Sequence, residues 1–295
     1  IRRQHDLPKI NLMGICMGGA FSVMYSALHP EKIKNLVTTV TPTNFDTDQG
    51  LLHIWMKNVD ADRMIETFGN MPGDVMNLGF LLLNPARLMI DKYVGFLENI
   101  DNKTFVENFV RMEKWIFDSP DVPGETFRQF ITDCYQKNLL IQSKMELGGR
   151  RVDLKKITMP LINFYGQYDH LVPPAACELL TSKVGSKDIQ DICLQTGHIG
   201  IYVSSKFQKE FAPKIAGWLK EREHEEPQRR ARRLDRPVAG RVALLHSDPN
   251  PFVRSTTVRY EVPRDGFCGF LATEKRPDPP PRTRRSFFSS TDAAA

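Results

Sequence analysis

Three features of the sequence predict an α/β fold built on a parallel sheet. Short apolar runs of strand length alternate with helix-compatible segments at both ends of the first 221 residues. A glycine-framed turn joins one of these strands directly to a helix. Between the two ends, about a hundred residues of helical character interrupt the alternation.

The elements follow in order. The run Ile10-Asn11-Leu12-Met13 is short and mostly apolar, as a buried strand is, and the strand ends at Ile15. A helix of small residues runs from about Gly18 to Leu28, and a second strand lies in "KNLVTTVTP". After Thr43 come the helical segments "GLLHIWMKNV", "DVMNLGFLLLNPARLMI" and "NFVRMEKWIFD", with Pro72, Pro85, Pro120 and Pro123 at their breaks. Strand character returns in "MPLINFYGQYD" and "DIQDICLQTGH". A closing amphipathic helix carries Phe211, Ile215, Trp218 and Leu219 on one face, with Pro213 expected in its first turn.

Between the first strand and helix lies Gly14-x-Cys16-x-Gly18-Gly19, the spacing of a G-x-S-x-G nucleophile elbow with sulfur in place of oxygen. Such a turn is strained, and side chains two positions to either side are expected to clash with the neighbouring strand and helix. The helix N-terminus directs its dipole at the sulfur and favours thiolate. With this elbow, the order of elements is that of the closing half of an α/β hydrolase with a cap inserted after the second visible strand. The expected organisation is residues 1–43 as the elbow part of the core and 44–150 as a helical cap. Residues 151–221 complete the core, and 222–295 form a tail.

In this fold an acid and then a histidine follow the nucleophile, each in a loop just past a strand. Asp169 meets the condition in "INFYGQYDHLVPP", as does His198 in "ICLQTGHIGIYV". His198 is expected to take the thiol proton and return it to a leaving group, while Asp169 orients the ring. The backbone N–H of Met17 is the expected oxyanion donor. Asp153 and Asp188 are weaker alternatives to Asp169, since neither follows an apolar strand as closely. Cys134, Cys177, Cys193 and Cys268 read as packing or tail residues. His5, His29, His53, His170, His224 and His246 have no metal-site spacing. No cofactor or metal is expected.

Cysteine suits one substrate class. Acyl transfer between thiols is nearly isoenergetic, so an acyl group on sulfur stays activated for transfer to an alcohol. A serine ester lies lower in energy.

Charge and composition bound the rest. Of 40 basic and 35 acidic residues, 25 and 25 lie before Arg222, so the net charge of +5 belongs to the tail. A general nucleic-acid binder is excluded for the first part. Lysine outnumbers arginine 17 to 8 before residue 222, whereas the tail has one lysine, 14 arginines and nine prolines. The composition of the tail predicts disorder, and the lysine-to-arginine reversal suggests frame-shifted or foreign sequence or a gene fusion. Five cysteines without C-x-x-C spacing suggest a reducing, cytoplasmic setting, and no run is long enough to span a membrane.

"LMGICMGG", "FYGQYDHLVP" and "TGHIGIYVS" resemble the three signature blocks of the polyhydroxyalkanoate synthases. The resemblance runs from about Leu7 to Lys220 and includes "KWIFDSPDVPGETFRQF" in the cap. The short distance from His198 to the end of the last helix resembles the class III type, which works with a second, non-catalytic subunit, more than class IV. The resemblance implies that Cys16 attacks the thioester of a (R)-3-hydroxyacyl-CoA and releases CoA. A hydroxyl, aided by His198 and Asp169, then attacks the growing polyester, which is stored in cytoplasmic granules. It also implies homodimers formed through the cap, and a substrate or cap role for Trp115. The chain begins six residues before the first block, so it reads as an internal fragment lacking early strands and one oxyanion donor. Alternatives are a cysteine-nucleophile hydrolase of the dienelactone-hydrolase kind, an inactive binding subunit, and an RNA-binding arginine tail.

Overall fold

A computed structural model describes residues 1–2 and 4–223, so expectations for residues 224–295, Cys268 among them, lie outside the described residues. Four parallel strands form the main sheet: β1 (Ile10–Ile15), β2 (Ile33–Thr39), β5 (Leu161–Gly166) and β6 (Ile189–Leu194). They lie side by side in the order β1-β2-β5-β6. Every residue of the inner strand β5 is buried, which accounts for its mostly apolar run. Its amide side chain, Asn163, accepts from Thr38 Oγ1 at 2.7 Å and donates to Asp191 Oδ1 at 2.8 Å, so its burial leaves no amide atom unpaired.

Adjacent residues of the inner strands face opposite sides. Leu36 and Leu161 belong to the core beneath α1 (Cys16–Leu28), with Ala20, Val23, Met24 and Ala27. Val37, Ile162 and Phe164 face the other side, against Phe211, Ile215, Trp218 and Leu219 of α11 (Ser205–Glu221). Helices on both faces are what a parallel sheet requires to bury its two sides. The short helices α8 (Pro174–Cys177) and α9 (Leu180–Lys183) link β5 to β6, and α10 (Gly200–Val203) precedes α11.

α11 starts well before Pro213, so that proline sits inside the helix and not in its first turn as the sequence suggested. Pro213 is exposed, on the face turned to solvent, where the carbonyl deprived of its N–H partner meets water. Arg222, the first residue of the expected tail, places its guanidinium carbon 4.2 Å from the centre of the Trp218 ring. Its Nε and Nη2 donate to the two carboxylate oxygens of Asp188, each at 2.7 Å. Asp188 is thereby tied to the end of α11, while Asp153 caps the short turn Leu154–Lys156.

Between β2 and β5 the chain forms α2 (Leu51–Lys57), α3 (Ala61–Phe68), α4 (Gly73–Leu82), α5 (Lys92–Glu98), α6 (Lys103–Phe117) and α7 (Gly124–Gln129). Two π-helical stretches, Ala86–Asp91 and Phe130–Gln136, lead into α5 and continue α7. A small antiparallel hairpin, β3 (Glu146–Leu147) and β4 (Arg150–Arg151), turns through Gly148 and Gly149, both at positive φ. α5 and α6 bury no residue fully, and Trp115 on α6 is 57% exposed. Among the described residues no helix is long and apolar enough to cross a membrane.

Candidate active site

The elbow forms because β1 leads into α1 with no intervening loop. Cys16 is the first helical residue and takes φ +53°, a left-handed value that strains a residue with a side chain. A Cβ on Gly14 would approach Gly19 Cα and Ser22 Oγ to 2.5 Å each. A Cβ on Gly19 would run into the Thr41 side chain, but one on Gly18 would meet nothing within 4 Å. The expectation that the glycine two positions after Cys16 relieves a clash is therefore corrected. α1 passes closest to its neighbour one residue later, at Gly19, where Thr41 lies just past β2. Met17 is second in α1, so its N–H is one of the free donors at the helix start.

Asp169 lies in the turn after β5, with its side chain fully buried. Its Oδ1 accepts from the backbone N–H groups of Leu171 at 2.9 Å and Val172 at 2.8 Å. Its Oδ2 lies 2.7 Å from His198 Nδ1. The buried carboxylate is thus fully engaged, one oxygen fixing its own turn and the other the imidazole. A Cβ on Gly166 would come within 2.5 Å of the Thr196 carbonyl oxygen, so the acid and histidine loops cross closely because Gly166 carries none.

Burial opposes charge on His198. The charge of Cys16, hydrogen bonds with Asp169 and Cys16, and the charge of Asp169 outweigh it and raise the His198 pKa to about 10. With Nδ1 turned to Asp169, Nε2 is the nitrogen left for the sulfur. The structure therefore brings Cys16, Asp169 and His198 into one connected cluster. Its geometry suits proton transfer between sulfur and imidazole, followed by nucleophilic attack.

The other cysteines differ among themselves. Cys134 and Cys177 are buried, and burial pushes both thiols up, so they stay un-ionised. Cys193 is exposed, contrary to a packing role, because β6 is an edge strand among the described residues and Asp191 and Cys193 alternate onto its open face. Beside the acid, His170 is held below the usual histidine range by burial. Among the described residues no three His, Cys, Asp or Glu side chains gather to hold a metal ion.

Three residues near the cluster had no role assigned from sequence. His53 on α2 is fully buried beside Phe45 and Tyr135, and neither ring nitrogen has a hydrogen-bond partner among the described residues. Burial, then the charge of Lys57, lower its pKa to about 4. Tyr202 Oη lies 2.5 Å from Thr39 Oγ1, which in turn donates to the Gly14 carbonyl at 3.4 Å. What signal the sequence held for Tyr202 was its place four residues after His198.

The α/β hydrolase fold family matches residues 1–203, more than half of the chain. The chain belongs to that family. This α/β hydrolase is 53% identical over 222 residues to the poly(3-hydroxyalkanoate) polymerase subunit PhaC of Allochromatium vinosum, covering 75% of this chain and 62% of that one. It is 50% identical over 218 residues to the protein of the same name from Thiocystis violacea, covering 74% and 61%. The chain thus spans about three-fifths of the length of these curated relatives. The likeness to the polyhydroxyalkanoate synthases read from the three blocks is borne out by them. Among solved structures, a monoacylglycerol lipase of Paleococcus ferrophilus aligns at 15% identity and TM-score 0.44, over 72% of this chain and 69% of that one.

Proposed function

We propose that this α/β hydrolase is an acyltransferase that polymerises (R)-3-hydroxyacyl-CoA into polyhydroxyalkanoate through an acyl group on Cys16. The observation that carries the reading is a cysteine at the elbow whose sulfur shares an imidazole with a buried carboxylate. Similarity to named polymerase subunits supplies the substrate class.

The Cys16 sulfur, its proton already held on His198 Nε2, attacks the thioester carbonyl. Negative charge gathering on the carbonyl oxygen is met by the Met17 N–H at the start of α1. The C–S bond to CoA breaks, and His198 returns the proton to the departing sulfur. The 3-hydroxyl of a bound acyl unit then loses its proton to His198 and attacks the growing chain's thioester, whose C–S bond breaks as His198 gives that proton to the departing sulfur. Asp169 holds the imidazole through both transfers. This route uses the chain's own nucleophile and base, with CoA as leaving group and no resident cofactor.

The class III reading, with a second non-catalytic subunit and granules of polyester in the cytoplasm, belongs to the same proposal. So does pairing of two copies through the cap, which the exposed apolar side chains of Ile90, Leu97, Val110, Trp115 and Phe117 support.

CoA release from (R)-3-hydroxybutyryl-CoA tests the reading. It is measured with this chain, with the Allochromatium vinosum relative carrying residues 1–221 in place of its matching segment, and with Cys16→Ala in each. CoA release with polymer, abolished by the alanine, is the expected result. Free hydroxy acid without polymer identifies a hydrolase instead. No Cys16-dependent release from either protein rejects both and leaves a binding subunit.

A further inference from the structure

His198 has a distance problem that its own hydrogen bonds do not solve. It follows β6, at one end of the four-strand order, whereas Cys16 follows β1 at the other. Three strand spacings separate them, about 14 Å at the usual distance between neighbouring strands. The chain after β6 must therefore turn back over the ends of β5 and β2.

The backward path is marked by contacts. Tyr168 N–H, just past β5, donates to Thr196 O at 3.0 Å. The chain then passes His198 and forms the single turn of α10, which carries Tyr202. Tyr202 Oη meets Thr39 Oγ1, at the end of β2, at 2.5 Å. Thr39 is the register partner of Ile15, the residue before Cys16. The Thr39 side chain, completely buried, also reaches the Gly14 carbonyl at 3.4 Å. The Thr39 hydroxyl thus stands between the Gly14 carbonyl, which can only accept, and the Tyr202 hydroxyl, and links the two. The ring is seated from behind, edge-on to Phe211 at 5.8 Å, and Phe211 is itself edge-on to Phe164 of β5 at 5.0 Å.

We propose that Tyr202 is a positioning residue which, through Thr39, locks the histidine loop to the nucleophile strand and so holds His198 over Cys16. Asp169 fixes the tilt of the imidazole from the β5 side. Tyr202 fixes how far the loop reaches across the sheet. The two constraints act from different strands, and neither substitutes for the other. The inference rests on the reading of Cys16 as a nucleophile paired with His198.

The test is iodoacetamide alkylation of Cys16 against pH, followed by peptide mass spectrometry, with exposed Cys193 as the internal reference. It is run on the whole chain and on Tyr202→Phe, Thr39→Val and Thr39→Ser, each with its thermal melting curve. In the parent, Cys16 is expected to react faster than Cys193 at neutral pH. Tyr202→Phe and Thr39→Val should each slow Cys16 by about tenfold, since small misplacements of paired groups cost one to two orders of magnitude. The pH profile should move toward that of Cys193. Thr39→Ser, which keeps the hydroxyl, should retain the parent profile. The double variant Tyr202→Phe/Thr39→Val should lose no more than either alone, as two members of one chain do. A parent profile in Tyr202→Phe, or a loss matched in Thr39→Ser, overturns the positioning role alone. A parent in which Cys16 reacts no faster than Cys193 overturns the nucleophile reading and this inference with it.

Discussion

Asp169 and His198 are joined by a 2.7 Å contact between Oδ2 and Nδ1, while the other carboxylate oxygen is held by two backbone N–H groups of its own turn. The acid therefore cannot rotate away from the ring without breaking two further hydrogen bonds. Its strength as an orienting group comes from that second oxygen.

Asp169→Asn separates the two tasks. The amide oxygen still accepts from Leu171 and Val172, so the turn survives and melting changes little. The amide nitrogen then faces His198 Nδ1 and forces the proton to Nε2, where it blocks transfer from sulfur. CoA release is expected to fall by about 10³–10⁴, the scale of losing the correct tautomer. A loss below about tenfold in a folded variant would show that the carboxylate does not orient the base.

The glycines of the elbow predict opposite outcomes for neighbouring substitutions. Gly19→Ala drives a methyl into the Thr41 side chain, whose hydroxyl is buried and donates to Thr39 O at 3.1 Å. Thr41 has no free rotation to yield, and the substitution should destabilise by about 1–3 kcal/mol. Gly18→Ala meets open space within a helix and should be neutral or stabilise by about 0.5–1 kcal/mol. Chemical denaturation of the two variants separates them, and equal effects would reject the packing account.

That pair also shows what the sequence did and did not carry. Strand-to-helix order, the cysteine, the acid and the histidine were legible because each lies at a strand end marked by glycine or a turn signal. Which glycine is crowded was not legible, since it depends on Thr41, a residue beyond the next strand. Pro213 misled because a proline usually marks a helix start, and only the burial of the face opposite it shows the helix running through. The β3–β4 hairpin was not read from the sequence, because strands of two residues each are too short to show a period. Tyr202 and Thr39 were invisible because their contact joins residues 163 apart.

Cys16→Ala tests the electrostatics of the pair. His198 stands at about 10, above the ordinary 6.5, so its pairing stabilises the fold fully below pH 6.5 and is lost as pH rises through 10. Alanine removes the charge and hydrogen bond of the sulfur and leaves burial, the largest influence, less opposed. The His198 pKa should fall, and the alkaline loss of stability should move to lower pH. Ring-proton NMR titration reads the shift directly, and an unchanged His198 would mean that Cys16 does not share its proton.

His53 gives the converse case at acid pH. Its pKa of about 4 lies below the ordinary 6.5, so the neutral ring is the form the fold accepts. Stability on this account is complete above pH 6.5 and is lost as pH falls toward 4, by about 3 kcal/mol for a shift of this size. Both ring nitrogens lack partners among the described residues, so the imidazole contributes no hydrogen bond that an apolar ring would forfeit. His53→Phe keeps a ring against Phe45 and Tyr135, at positions where the present centroids stand 6.2 and 5.3 Å away. It should melt at or above the parent at a pH of about 7.5 and lose much less stability than the parent between about 7.5 and 4.5. Parallel losses in the two proteins would place the acid sensitivity of this fold elsewhere.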